Sequence, residues 1–266
     1  MPYALINGVR IYYEVHGEGE PIILLNGILM NTRSWAPQLS AFVNNGLKVI
    51  LMDYRGQGLS DKPRMKYSIN MLVDDIKGLL DHLNIKKVHM LGISYGGMLA
   101  MRFAIKYQDY LKSLILVDTT PIADHYIKRI CDQWMMAARL HSGRYLFLTM
   151  IPTIYSAYFI NERWDFVSST ATAFEKVDFD AFIELLKTVF DKEVNVLDEL
   201  HKIKVPTLII AGERDKFAPP EIYSKMIHER IEGSKLVIIK KAGHVVIWEK
   251  PIEFNAIVID FVKRHK

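Results

Sequence analysis

The chain carries one cysteine in 266 residues, Cys131. Within a single chain this excludes a disulfide framework and any zinc site built from several thiolates. Long apolar runs are also missing. None approaches the roughly 18–20 residues that a membrane span needs. The opening stretch, MPYALINGVRIYYEVHGEGE, has no basic segment followed by an apolar one, so no secretory leader is expected. The expectation from these absences is a soluble, cytoplasmic protein. An excess of charge of one sign is lacking too. There are 34 basic and 30 acidic residues, interspersed along the chain, for a formal charge of +4. A nucleic-acid binder would cluster its Lys and Arg. The only basic run, Lys263-Arg264-His265-Lys266, reads as a solvated helix end. The mild excess permits an anionic small molecule and argues for neither nucleic acid nor a membrane surface. Internal repeats and low-complexity segments are absent, and monomer and homodimer are both left open.

Half of the residues are hydrophobic and 24% are charged, a globular composition. A chain of this length buries about three quarters of its unfolded surface, so it needs no covalent or metal staple. Short apolar runs recur as strands buried on both faces: 22–25, 47–52, 88–93, 114–117, 207–211 and 236–239. Alternating residues at 3–6 and 9–15, joined by Asn7-Gly8, read as a hairpin. Between the runs lie helical periods at 71–83, 95–107, 221–231 and 251–262. Strands alternating with helices imply a mostly parallel sheet, and the leading hairpin implies an antiparallel edge. From 121 to 205 the rhythm breaks. No buried-strand run occurs there, aromatics and Met abound, and the periods are helical, as at 179–190. This region reads as a helical insertion, either ordinary packed helices or an apolar lid over a binding site.

Gly92-Ile93-Ser94-Tyr95-Gly96-Gly97 stands between the run ending at 93 and the helical pattern beginning at 95. This is G-x-S-x-G in the strand–turn–helix context it requires. The glycines give room to a tight turn that presents the Ser94 hydroxyl at the sheet's C-terminal end. The Tyr95 N–H, at the helix start, would face developing negative charge. A serine nucleophile needs a base, and the base an orienting acid. His244, in a loop after the last strand run, is the histidine in the right place. The others read as packed (His89), helical and polar-faced (His82), solvent-facing (His228, His265), or part of the insertion (His125, His141, His201). Asp215, a short turn after the 207–211 run, is the favoured acid. Asp118, at the end of the 114–117 run, is its rival, with loop capping as the alternative role. Met30, Trp35, Tyr95 and Trp248 flank these loops and are candidates to line a pocket, with core packing the equal alternative for each.

End to end, the chain resembles the α/β-hydrolase superfamily, in its capped, serine esterase- and lactonase-like branch. Besides the serine turn, Asp53-Tyr54-Arg55-Gly56-Gln57-Gly58-Leu59-Ser60 is similar to the family's D-x-R-G-x-G-x-S loop. Gly212-Glu213-Arg214-Asp215 is similar to its acid loop, and Ala242-Gly243-His244 to its histidine loop. The resemblance implies an eight-stranded, mostly parallel sheet with helices on both faces. It implies a core domain of residues 1–120 and 206–266, with 121–205 inserted as a helical cap. It implies a Ser94–His244–Asp215 triad that needs no cofactor and no metal. It also implies an oxyanion site made by the Ile28 and Tyr95 amides. Here the chain departs from the family pattern: Asn26-Gly27 stands where His-Gly is common, so a different network must set that loop. Ser94 in place of Asp argues against epoxide hydrolase and dehalogenase chemistry. The activity implied is hydrolysis of small or medium apolar esters or lactones. Acyl transfer, carbon–carbon bond hydrolysis and thioester hydrolysis are possible on the same groups. A ligand receptor that keeps the triad is the alternative of another class.

Overall fold

The computed structural model describes residues 3–266; the first two residues of the leader reading lie outside them. Eight strands form one sheet: β1 (Tyr3–Ile6), β2 (Val9–His16), β3 (Glu20–Leu25), β4 (Leu47–Met52), β5 (Val88–Ile93), β6 (Leu111–Val117), β7 (Thr207–Gly212) and β8 (Lys235–Ile239). Their spatial order is β1-β2-β4-β3-β5-β6-β7-β8. Asn7 and Gly8 form a two-residue hairpin loop between Ile6 and Val9, both with positive φ, as a turn matched to strand twist requires. β1 pairs with β2, and β2 with β4, in antiparallel fashion; every other pairing is parallel.

The apolar runs are continuous because each central strand feeds two cores. Ile23, Leu25, Ile50, Met52 and Met90 face the side packed by α2 (Ile69–His82) and α3 (Tyr95–Tyr107). Ile22, Leu24, Val49, Leu51 and Leu91 face the other side. That side is covered by α1 (Ala36–Asn44), through Phe42, and by the C-terminal helices, α11 (Val246–Glu249) and α12 (Pro251–Arg264). Truncating such a leucine to alanine costs about 2–5 kcal/mol. Helix α2 begins two residues before its apolar stripe suggests, because the Ser68 side chain accepts the Met71 N–H and starts the helix early. Between β7 and β8, α10 (Tyr223–Arg230) opens two residues later than the Pro219-Pro220 signal suggests.

Between β6 and β7 the regular structure is all helical. It forms α4 (His125–Ala138), α5 (Gly143–Ile154), α6 (Ala157–Glu162), α7 (Trp164–Ser169), α8 (Ala171–Phe174) and α9 (Phe179–Lys187), with short 3₁₀ turns after α9. Asp124, Ser142, Ser156 and Asp178 cap four of these helices. α4 joins the main core through Ile127 and Trp134. Phe147, Ile151, Tyr155, Phe159 and Val167 make a separate apolar cluster that includes Val245, next to His244. Among the described residues, no helix is long and apolar enough to cross a membrane.

Candidate active site

Ser94 lies between β5 and α3 with φ 54° and ψ −116°, a strained conformation for a residue with a side chain. The surroundings leave no slack to relieve it. A Cβ on Gly92 would lie 2.3 Å from the Gly96 carbonyl oxygen, and one on Gly96 would lie 2.3 Å from that of Leu25. The Ser94 N–H donates to the Val117 carbonyl, and its own carbonyl accepts from the Thr119 hydroxyl at 2.7 Å. Thr119 also occupies the space that a side chain on Gly97 would need.

The loops after β7 and β8 complete the constellation. His244 Nε2 is 2.7 Å from Ser94 Oγ, and Nδ1 is 2.8 Å from Asp215 Oδ2. A carboxylate can only accept, so Nδ1 carries the proton and Nε2 faces the serine hydroxyl as acceptor. Asp215 Oδ1 takes the Phe217 and Ala218 N–H groups at 2.8 and 2.9 Å, which fixes the acid's orientation. The Phe217 ring lies 4.7 Å from the imidazole and stacks on Trp134 from α4. Both His244 and Asp215 are buried.

Asp118 does not touch the imidazole. Its two oxygens accept the Gly212 N–H at 2.8 Å and the Val246 N–H at 3.2 Å. Burial, and then the neighbouring charge of Asp215, push its pKa well above the ordinary carboxylate value. Of the two acid candidates, only Asp215 reaches His244.

The Ile28 and Tyr95 amides, expected as oxyanion donors, have no protein acceptor among the described residues. Gly27 brings the first of these loops against the serine: a Cβ there would sit 3.6 Å from that of Ser94. Asn26 supplies the network that replaces histidine. Its Nδ2 donates to the Met52 carbonyl at 2.8 Å, and its Oδ1 accepts from Trp35 Nε1 at 2.7 Å. The Asp53–Ser60 loop braces the same segment. Asp53 accepts the Thr32 and Leu59 N–H groups, and Gln57 Nε2 donates to the Gly27 carbonyl at 2.9 Å. Arg55 leaves the site and forms a buried pair with Asp75.

A cavity of about 190 Å³ opens over Ser94 and His244. Met30 and Trp248 line it as the sequence suggests, and Ile28 joins them; Trp35 and the Tyr95 side chain do not. Trp35 is fully buried and its indole is committed to Asn26, so it packs the core and braces the loop. The Tyr95 hydroxyl is committed to Thr188, 2.6 Å away. The roof comes from the insertion: Trp134, Phe147, Met150, Ile154, Tyr155 and Phe174. In the sequence most of these form an aromatic block that carries no individual assignment, because periodicity tells which face is apolar and not what that face meets. A second, more polar cleft of about 650 Å³ shares Leu29, Met30, Phe174 and Trp248 with the first and continues it outward. Among the described residues, no group of three or more His, Cys, Asp and Glu side chains could hold a metal ion.

A strained serine at a strand–helix turn, beside a histidine and an aspartate on the next loops of a mostly parallel sheet, defines a class of hydrolytic α/β proteins. The chain belongs to the α/β hydrolase family, whose profile matches residues 20–251. It is 27% identical to a proline iminopeptidase of Thermoplasma volcanium, over 99% of this chain and 96% of that one. Among solved structures, an α/β hydrolase enzyme from a Medee basin deep-sea metagenome library superposes with a TM-score of 0.92 at 32% identity, covering 99% and 98% of the two chains. The enol-lactonase of Burkholderia xenovorans superposes with a TM-score of 0.89 at 26% identity, covering 98% of this chain and 100% of that one.

Proposed function

We propose that this enzyme hydrolyses carboxylic esters or lactones of small to medium, largely apolar substrates through an acyl-enzyme at Ser94. The observation that carries the reading is the continuous hydrogen-bonded line Ser94–His244–Asp215 beneath an apolar cavity. Ser94 Oγ attacks the carbonyl carbon while His244 Nε2 takes its proton. Asp215 keeps the imidazole in the tautomer that can accept, and offsets the charge of the imidazolium. The Ile28 and Tyr95 amides receive the oxyanion; one such donor contributes about 10²–10³ in turnover. His244 then returns the proton to the leaving alkoxide. A water deprotonated by the same nitrogen attacks the acyl carbon and frees the acid. The likeness to an enol-lactonase supports lactones alongside open esters. The apolar roof supports a hydrophobic acyl or alcohol group.

The test is a panel of p-nitrophenyl esters of increasing chain length, lactones, thioesters and an aminoacyl arylamide, each assayed with the wild-type enzyme and Ser94→Ala. Sustained turnover of an ester or lactone is expected, falling at least about 10³-fold in the variant. Ester hydrolysis that survives Ser94→Ala overturns the reading. A single covalent event with a rise in Tm and no further turnover would make the chain a receptor instead.

A further inference from the structure

Two buried carboxylates outside the triad grip the loop that carries His244. On one side, the Gly243 N–H donates to Glu249 Oε2 at 3.0 Å. On the other, the Val246 N–H donates to Asp118 Oδ2 at 3.2 Å. Each carboxylate also holds a second, distant segment. Asp118 Oδ1 takes the Gly212 N–H at 2.8 Å, where the loop to Asp215 begins. Glu249 Oε1 takes the Ser156 N–H at 2.9 Å, and Oε2 takes the Ser156 hydroxyl at 2.5 Å. Ser156 is the residue that caps the start of α6 in the insertion. Its backbone presses against the histidine loop so closely that a Cβ on Gly243 would lie 2.4 Å from the Ser156 nitrogen.

The residue types suit this work. A carboxylate is acceptor-only on both oxygens, so it can bridge amides from two segments. An asparagine or glutamine would turn an NH₂ group toward one of those amides. Neither carboxylate has a cationic partner within salt-bridge distance among the described residues. Burying an unpaired charge is costly, and a joint serving stability alone could be apolar. We propose that Asp118 and Glu249 are positioning residues for the reaction: Asp118 sets the spacing of the acid and base loops, and Glu249 ties the base loop to the insertion through Ser156. This rests on the reading of His244 as the base.

Asp118→Asn and Glu249→Gln test the proposal, with Glu232→Gln on the exposed surface as the control. Two readouts are needed: steady-state kinetics per titrated active site, and the rate at which an alkyl fluorophosphonate labels Ser94. Each of the two buried variants is expected to lose at least tenfold in kcat with KM within twofold, and its labelling rate should fall in parallel. The control should keep both rates. A role confined to stability would lower Tm and yield while leaving kcat per titrated site and the labelling rate at wild-type values; that result in a folded variant overturns the proposal. Ser156→Ala leaves both carboxylates in place and serves if Glu249→Gln does not fold. A two- to fourfold fall in kcat is expected, and no change removes the link to the insertion. Wild-type protein that is not labelled at Ser94 would instead overturn the serine-hydrolase reading itself.

Discussion

The loops at the C-terminal edge of the sheet and the helical insertion above them are built by different forces. In the loops, position is set by directional bonds. Asp53, Asp118, Asp215 and Glu249 are all buried, and each spends its oxygens on named backbone, imidazole or hydroxyl donors. In the insertion, the face toward the cavity is almost wholly apolar, and beside the one polar joint from Ser156 to Glu249 its contacts with Trp248 at the core edge are aromatic. Tyr155 stacks on Trp248 with ring centroids 6.4 Å apart, and Phe166 meets the same indole edge-on at 6.1 Å. Acyl transfer needs atoms held within a few tenths of an ångström, which directional bonds can do. Apolar packing fixes volume more than direction, so it can be re-cut for a new substrate without moving the reacting atoms. One fold can thus serve many chemistries, and on the reading proposed above the loops would carry the reaction and the roof the choice of substrate.

Asp215→Asn makes the sharpest attempt to break this division. The Phe217 and Ala218 amides can still hold Oδ1, so the loop should keep its shape. The imidazole, however, loses the acceptor that sets its tautomer. A fall in kcat of about 10³–10⁴ is expected, with Tm nearly unchanged. A fall below tenfold would mean that the loops do not carry the reaction as described. Trp248→Ala tests the apolar wall where the roof meets the core edge. Its ring lines both cavities, and its indole N–H donates to the Ser34 carbonyl at 2.7 Å. Here KM for long-chain esters should rise about tenfold, while kcat for an acetyl ester stays within about threefold. A change in chain-length preference is the signature; an equal loss on every substrate would show that the roof also holds the reacting groups.

The same division explains what could be read from the amino-acid sequence. All eight strands were legible: six as short runs, largely apolar because the central ones are buried on both faces, as Val88–Ile93 is apart from His89, and two as an alternating hairpin around Asn7-Gly8. Ser94, Asp215 and His244 were legible because each follows a strand, and the serine turn requires glycine at fixed offsets. In the sequence Asp215 is favoured and Asp118 stays its rival, because both follow buried strands; the fold shows which carboxylate meets the imidazole and which meets amides. Trp35 and Trp248 looked alike, both beside motif loops. Their indole N–H groups go to Asn26 and to Ser34, and only the second leaves the ring on the cavity wall. Glu249 and Ser156 were not legible, because they are 93 residues apart and only the fold brings them together.

Of the nine histidines, only His89 and His244 are buried, and the pair extends the contrast to a site with no place in the reaction. His89 sits within β5, with Nδ1 2.7 Å from the Ser113 hydroxyl and Nε2 3.2 Å from Glu20 Oε1, outside hydrogen-bond alignment. Burial lowers its pKa to about 4, against an attractive influence from Glu20. The unfolded chain, with an ordinary imidazole, therefore binds more protons than the folded one between about pH 6.5 and 4. Folding stability contributed by this neutral histidine is present above that window and lost as the pH falls through it, by at most about 3 kcal/mol. In His89→Gln, the drop in unfolding free energy between pH 7 and pH 4.5, measured by urea titration, should shrink accordingly. Turnover at pH 7 should stay within twofold of wild type, the smallest effect of the three on catalysis. An unchanged pH slope would place the acid sensitivity elsewhere, and a large loss of turnover would extend the directional network from the loops down into the sheet.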